Sequence, residues 1–221
     1  MKFLKLLLLF FIIISGLYSC KMDPEVLNSK LIQAVMSMKA DRVERYLEKG
    51  ADPNTVLQDG ETTVLDMALY KNEQHIFIML AEAGADISTA DSDGTSVLTR
   101  AAASNLTEAV SYCIEHGNDV NFINNNELKT TALMEAAARN AADSIKILLE
   151  NGADTNILDI NKSSALHFAT LKGSYEAVVA LVESGADLSI RDMNGDTPLK
   201  IAETEGHDKI VEYLKKSGGK N

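Results

Sequence analysis

Tryptophan is absent from the 221 residues, and all aromatics together make up only 5 %. A base-stacking platform or an aromatic sugar-binding groove has little to be built from. Basic charge is the minority: 21 Lys and Arg face 32 Asp and Glu, a net of −11, which argues against nucleic-acid binding driven by phosphate neutralisation. Two cysteines, Cys20 and Cys113, cannot build a disulfide scaffold. The four histidines, His75, His116, His167 and His207, lie 41, 51 and 40 residues apart. No H-E-x-x-H pair or other local metal site arises from them, and no G-x-x-x-x-G-K-[ST] phosphate cradle occurs. No cofactor, no metal and no catalytic residue is expected; the chain reads as a binding protein rather than an enzyme. A 46 % hydrophobic share is enough for a folded core.

The first twenty residues have a different character. Lys2 and Lys5 precede nine apolar residues, Leu6 to Ile14, followed by the small Ser15, Gly16 and Ser19. That order is the order of a signal peptide, over residues 1–19. The thirteen residues from Leu6 to Tyr18 are too few to span a ~30 Å hydrocarbon core. Leu17-Tyr18-Ser19-Cys20 resembles the lipobox of bacterial lipoproteins. The resemblance implies cleavage before Cys20, lipidation of its thiol and amino terminus, and an extracytoplasmic, membrane-anchored protein. Lys21 in place of aspartate implies the outer membrane, or its periplasmic face, in a Gram-negative host. Cleavage leaves 19 basic and 32 acidic residues, net −13. Residues 20–28 then form a short tether to the rest.

That remainder is a repeat. Gly50, Gly84, Gly117, Gly152, Gly185 and Gly218 are spaced by 34, 33, 35, 33 and 33. Asp follows two residues after the first five. A hydroxyl residue, Thr63, Ser96, Thr131, Ser164 or Thr197, stands 21 residues before each later glycine, whereas glycine-to-hydroxyl spacing varies from 12 to 14. Every insertion therefore falls in one segment, as expected for rigid helix pairs linked by exposed connectors. The hydroxyls suit helix N-caps. Nine residues later stand Asn72, Asn105, Asn140, Gly173 and Gly206, the types that best accept the left-handed backbone of an inter-helix turn. Counting 21 back from Gly50 places Ser29 at the start of the first block, with Met38 at its turn. Six units follow, at about 26–57, 58–90, 91–123, 124–158, 159–191 and 192–221. Lys215 replaces an apolar residue in the last, marking it as a cap.

Thr197-Pro198-Leu199, Ala165-Leu166-His167 and the Gly-Ala-Asp endings resemble the ankyrin repeat over residues 26–219. The resemblance implies an all-α solenoid of six helix pairs joined by β-turn fingers, and a hydrogen-bonding role for His167 between fingers. It also implies a concave face, lined by fingers and first helices, that binds a protein. The residues mapped to that face are Tyr70 and Lys71 in the second unit, Asp93, Thr95 and Ser104 in the third, and Glu127, Thr130 and Arg139 in the fourth. Asn161, Leu171 and Lys172 follow in the fifth, and Met193, Asn194 and Asp196 in the sixth. Tyr70, Leu171 and Met193 are the expected apolar anchors. The longest finger, 122–130, is polar and expected to be a mobile contact loop. Cys113 falls at a packed position and is expected to be inert. The chain is read as a monomer whose protein partner the sequence does not name. An accessory or immunity-type factor that blocks one extracytoplasmic enzyme or toxin is the alternative.

Overall fold

A computed structural model describes residues 22–221, so the expected signal peptide, 1–19, and Cys20 lie outside the described residues. The described chain forms twelve helices in six antiparallel pairs: α1 Pro24–Met36 with α2 Ala40–Glu48, α3 Val64–Tyr70 with α4 Gln74–Glu82, and α5 Val97–Ala103 with α6 Thr107–Glu115. The series continues with α7 Ala132–Ala138 and α8 Ala142–Glu150, α9 Ala165–Leu171 and α10 Tyr175–Glu183, and α11 Pro198–Glu205 and α12 Asp208–Lys216. Between pairs the chain makes hairpin fingers with two isolated β-bridges, Val56 to Thr63 and Ala90 to Ser96. Among the described residues there is no strand, and no helix long and apolar enough to cross a membrane. The all-α solenoid expected from the repeat is the fold.

The landmark residues act as their chemistry dictates. Thr63, Ser96, Thr131 and Thr197 are N-caps whose hydroxyls accept from backbone N–H groups one turn on. Asn72, Asn105 and Asn140 adopt φ of 58°, 55° and 55°. Asp52, Asp86, Asp119, Asp154 and Asp187 each accept from the amide two residues ahead, closing Asx turns.

The first unit differs from expectation. Asp23, not Ser29, is the N-cap of α1; its carboxylate accepts from Glu25 N–H at 2.9 Å, and Pro24 opens the helix. Ser29 lies inside α1, and residues 24–28 are helical rather than tether. Leu27, Leu31, Ala34 and Val35 supply the buried stripe that holds those extra turns. Met38 makes the same left-handed turn as the asparagines, with φ 53°, a conformation that costs a β-carbon about 1–2 kcal/mol.

Each unit buries its apolar stripe on its neighbours. Ala68, Ala101, Ala136, Ala169 and Ala202 on the first, inner helices are fully buried, as are Phe77, Val110, Cys113, Ile145, Val178 and Leu181 on the outer ones. From the third to the sixth unit, neighbouring inner helices pack closer than neighbouring outer helices, which curves the stack inward. Small side chains at Ala101, Ala102, Ala136 and Ala137 permit that approach. The junction of the second and third units is the exception: α3 and α5 stand further apart than the other inner neighbours. In the last unit Leu214 is buried while Lys215 is exposed and pairs with Glu203 at 2.8 Å.

Outer helices begin without side-chain caps of their own. Two are capped across a junction instead. Gln74 accepts from Glu108 N–H at 2.9 Å, and Asn105 accepts from Ser144 N–H at 2.9 Å. Asn54, Asn121 and Asn156 do the same between fingers: each accepts from the Asp amide of the next unit and donates to that unit's glycine carbonyl. Ser88 stands at the equivalent place in the second unit, and its hydroxyl turns back to Asp86.

Candidate partner-binding face

In three of the fingers one carboxylate organises the root of the hairpin. Asp91 accepts from the amides of Asp93 and Thr95, Asp159 from Asn161 and Ser163, and Asp192 from Asn194 and Asp196. Finger tips are joined to one another through the backbone. Asn125 N–H donates to Gly94 C=O at 2.9 Å, Ile160 N–H to Leu128 C=O at 3.1 Å, and Met193 N–H to Asn161 C=O at 2.8 Å. Gly94 is left-handed, and a Cβ there would lie 2.7 Å from the Asn125 carbonyl, so only glycine admits this contact.

The long finger is anchored where the sequence suggested free polar loop. Asn124 is fully buried. Its carbonyl oxygen accepts from Ser96 N–H at 2.8 Å and its amide donates to Thr130 C=O at 2.8 Å and to the Thr99 hydroxyl. It occupies the place, seven residues after the glycine, that Asp91, Asp159 and Asp192 hold elsewhere, and that register is the signal that could have identified it. Asn124→Ala leaves the buried Ser96 N–H without a partner, while Thr130 C=O keeps the Asn124 backbone N–H at 2.9 Å, and is expected to cost about 2 kcal/mol, read as a shift in the urea midpoint. A cost below about 0.5 kcal/mol, as at an ordinary surface site, would mean that the finger does not depend on it.

Of the fourteen residues mapped to the face, Tyr70, Lys71, Asp93, Glu127, Arg139, Leu171, Lys172, Met193 and Asn194 are exposed. Tyr70 at 80 % and Met193 at 66 % are the most exposed large apolar side chains among the described residues. Thr95, Ser104, Asn161 and Asp196 are half-buried. Thr130 is a correction: it is 1 % exposed, with its hydroxyl donating to Glu135 at 3.0 Å and accepting from Asn126 at 2.8 Å. It shapes the finger and offers nothing to a partner.

The structure gathers Tyr70, Asp93, Thr95, Ser104 and Arg139 around one groove of about 730 Å³, between the fingers and inner helices of the second to fourth units. Its floor holds residues that the sequence reading passed over. Arg100 reaches back from α5 to Asp66 on α3, and donates to Asp91 of its own finger at 2.7 Å. Asp66 also receives the Thr63 N–H at 3.0 Å, completing a capping box. This ion pair links α3 and α5 across the floor of the groove. The repeat register contained the clue, since Arg100 and Glu135 occupy the same inner-helix position, four residues after the cap.

A second recess of about 250 Å³ lies between the fifth and sixth units, and brings together Leu171, Asn194 and Asp196 with His167. His167 is 2 % exposed. Its Nδ1 accepts from Ser164 N–H at 3.2 Å and meets the Ser164 hydroxyl at 2.9 Å, within its own unit. Nε2 points toward the next finger but makes no hydrogen bond of good geometry. Burial holds the imidazole below its ordinary value of 6.5, against opposing pulls from the Asp196 backbone and the Asp192 charge. The folded state therefore resists protonation that the unfolded chain accepts. Stability is expected to be full above pH ~6.5 and to fall as the pH drops below it. His167→Gln should flatten that decline between pH ~6.5 and ~5, above the range where carboxylates titrate. An unchanged profile would assign the decline to other groups. At Cys113, burial raises the thiol to about 12, so no thiolate is present near neutral pH. Among the described residues no group of His, Cys, Asp and Glu is arranged to hold a metal.

A family model described as Ankyrin repeats (3 copies) matches residues 31–124, 65–159, 114–192 and 133–221. The chain is similar to the crystal structure of EF0377, an ankyrin repeat protein, at 28 % identity and a TM-score of 0.75, covering 85 % of this chain and 97 % of the other. It is similar to an ankyrin repeat domain from Acinetobacter baumannii AYE at 27 % identity and a TM-score of 0.74, covering 86 % and 98 %. Comparison with curated proteins finds no match.

Proposed function

We propose, from the premise that this chain belongs to the ankyrin-repeat family, that it binds another protein through its concave face while lipid-anchored outside the cytoplasm at Cys20. Ankyrin repeats are generally protein–protein interaction modules, and it acts as one rather than as an enzyme. The observation that carries the reading is the groove between the second and fourth units, with Tyr70 standing 80 % exposed on its rim. An aromatic side chain left uncovered beside a recess is the kind of anchor that dominates protein interfaces. The anchor rests on Leu17-Tyr18-Ser19-Cys20 and the apolar run before it. Only residues 21–23 separate Cys20 from α1, so the stack sits close to the lipid, and a partner at the same membrane is favoured.

Photo-crosslinking in intact cells tests the binding face. A benzophenone amino acid replacing Tyr70 or Leu171 is expected to capture one protein, and the same probe at Glu115 on α6 to capture none. Equal capture at all three sites, or none at Tyr70 and Leu171, would contradict the reading. For the anchor, Cys20→Ser is expected to move the protein into the soluble fraction; retention in the membrane would contradict lipidation.

A further inference from the structure

Across the whole face Lys71, Arg139 and Lys172 offset the acids, but the linings of its two recesses are lopsided, and that lopsidedness survives internal pairing. In the larger groove Arg100 is already taken by Asp66 and Asp91, so it has no charge to offer a ligand. What remains is Glu61, Asp93 and Glu135 against Arg139, none of which forms an ion pair among the described residues. The second recess holds Asp192, Asp196 and Glu205 with no lysine or arginine in its lining. On the outer helices, the recess at Tyr175 and Tyr213 balances Glu176 and Glu212 with Lys209 and Lys216, while the shallower one at Tyr112 carries Glu108 and Glu115 without a cation. These two inner-face recesses are therefore lined by an excess of negative charge, and each has an exposed apolar side chain beside it, Tyr70 at one and Leu171 at the other.

We infer that the partner presents an extended segment with at least two cationic side chains, one entering each recess, whose aliphatic stems pack on Tyr70 and Leu171. This rests on the concave-face reading above and adds the partner's chemistry to it. Arginine and lysine suit the site because they carry an apolar stem beneath the charge, and Tyr70 offers an aromatic face to the cation. An acidic or polyanionic partner would meet repulsion at both cavities. The groove's only free cation among its lining residues is Arg139. The repulsion also acts on approach, because the field of an acidic cleft steers cations in and anions away.

Fluorescence anisotropy of the full-length chain in mild detergent tests this, with a labelled arginine–serine peptide and with its glutamine–serine and glutamate–serine counterparts, at physiological salt. Glu61 and Asp93 are exposed and their carboxylates make no hydrogen bond among the described residues, so Glu61→Gln/Asp93→Asn removes charge without removing a fold contact. Arginine–serine peptide is expected to bind, and this variant to weaken it about tenfold. Glu82→Gln/Glu115→Gln, on the outer helices and equal in net charge, is expected to change binding by less than about twofold. Equal weakening by the two variants would overturn the inference, since the attraction would then belong to the acidic chain as a whole. Binding of the glutamine or glutamate peptide that is sensitive to Tyr70→Ala would also overturn it, and leave the concave face intact as a docking site. If no peptide binds, the inference falls; Tyr70 cross-links in cells then decide separately whether the face itself is used.

Discussion

Arg100→Ala is expected to cost about 3 kcal/mol of folding stability, near the lower end of what breaking a buried ion pair costs. The side chains of Arg100, Asp66 and Asp91 are 22 %, 11 % and 17 % exposed, so water reaches them poorly. Truncation leaves two carboxylates without their shared cation, and Asp66 cannot swing away without releasing the Thr63 N–H. The loss falls at the junction where the inner helices already pack least closely. In a solenoid each unit is stabilised by its neighbours, so hydrogen exchange should accelerate more over residues 24–82 than over 132–216. Arg100→Met keeps the aliphatic stem and separates packing from charge; it should recover only a minor part of the loss. A cost below about 1 kcal/mol, typical of a solvated surface pair, would show that the pair does not hold this junction.

The outer side of the same junction depends on Phe77, and Phe77→Ala is expected to cost about 4 kcal/mol. The ring is fully buried on α4 and meets Tyr112 of α6 edge to face, with centroids 6.4 Å apart at 89°. Tyr112 is itself stacked on His116 at 3.9 Å, which opposes its moving into the vacated space. Tyr112→Ala, half-buried, should cost less than Phe77→Ala. Urea denaturation followed by circular dichroism measures both. A loss this large at one junction is expected to separate unfolding of the first two units from the rest, giving two transitions where wild type gives one. A single transition with a midpoint close to wild type would mean that the junction is not where cooperativity is decided.

Much of the architecture was legible because the repeat puts the same physical demand at the same register six times. Glycine, asparagine and hydroxyl landmarks mark places where the backbone permits few alternatives; Thr63, Ser96, Thr131 and Thr197 cap helices and Asn72, Asn105 and Asn140 make left-handed turns as their chemistry requires. Ser29 misled because the 21-residue spacing was carried into a unit with no preceding finger, where Asp23-Pro24 starts the helix six residues earlier. Thr130 misled because position in a finger does not reveal which way a side chain turns; its neighbour Asn126 and Glu135 on α7 draw it inward. Arg100, Asp66 and Asn124 were missed for a shared reason. Each acts across elements, and partners 34 or 28 residues away leave no trace in local spacing. The charge of the face had the same limit: the net value was plain, but which acids stay unpaired depends on where Arg100 reaches.

Amide hydrogen exchange of the full-length chain, alone and with the protein captured at Tyr70, tests the concave-face account most directly. Protection is expected on the inner helices and fingers, at residues 61–70, 91–104, 124–139 and 190–205, with the outer helices α4, α6, α8 and α10 unchanged. Protection confined to those outer helices, with the fingers and inner helices exchanging as in the free protein, would contradict it.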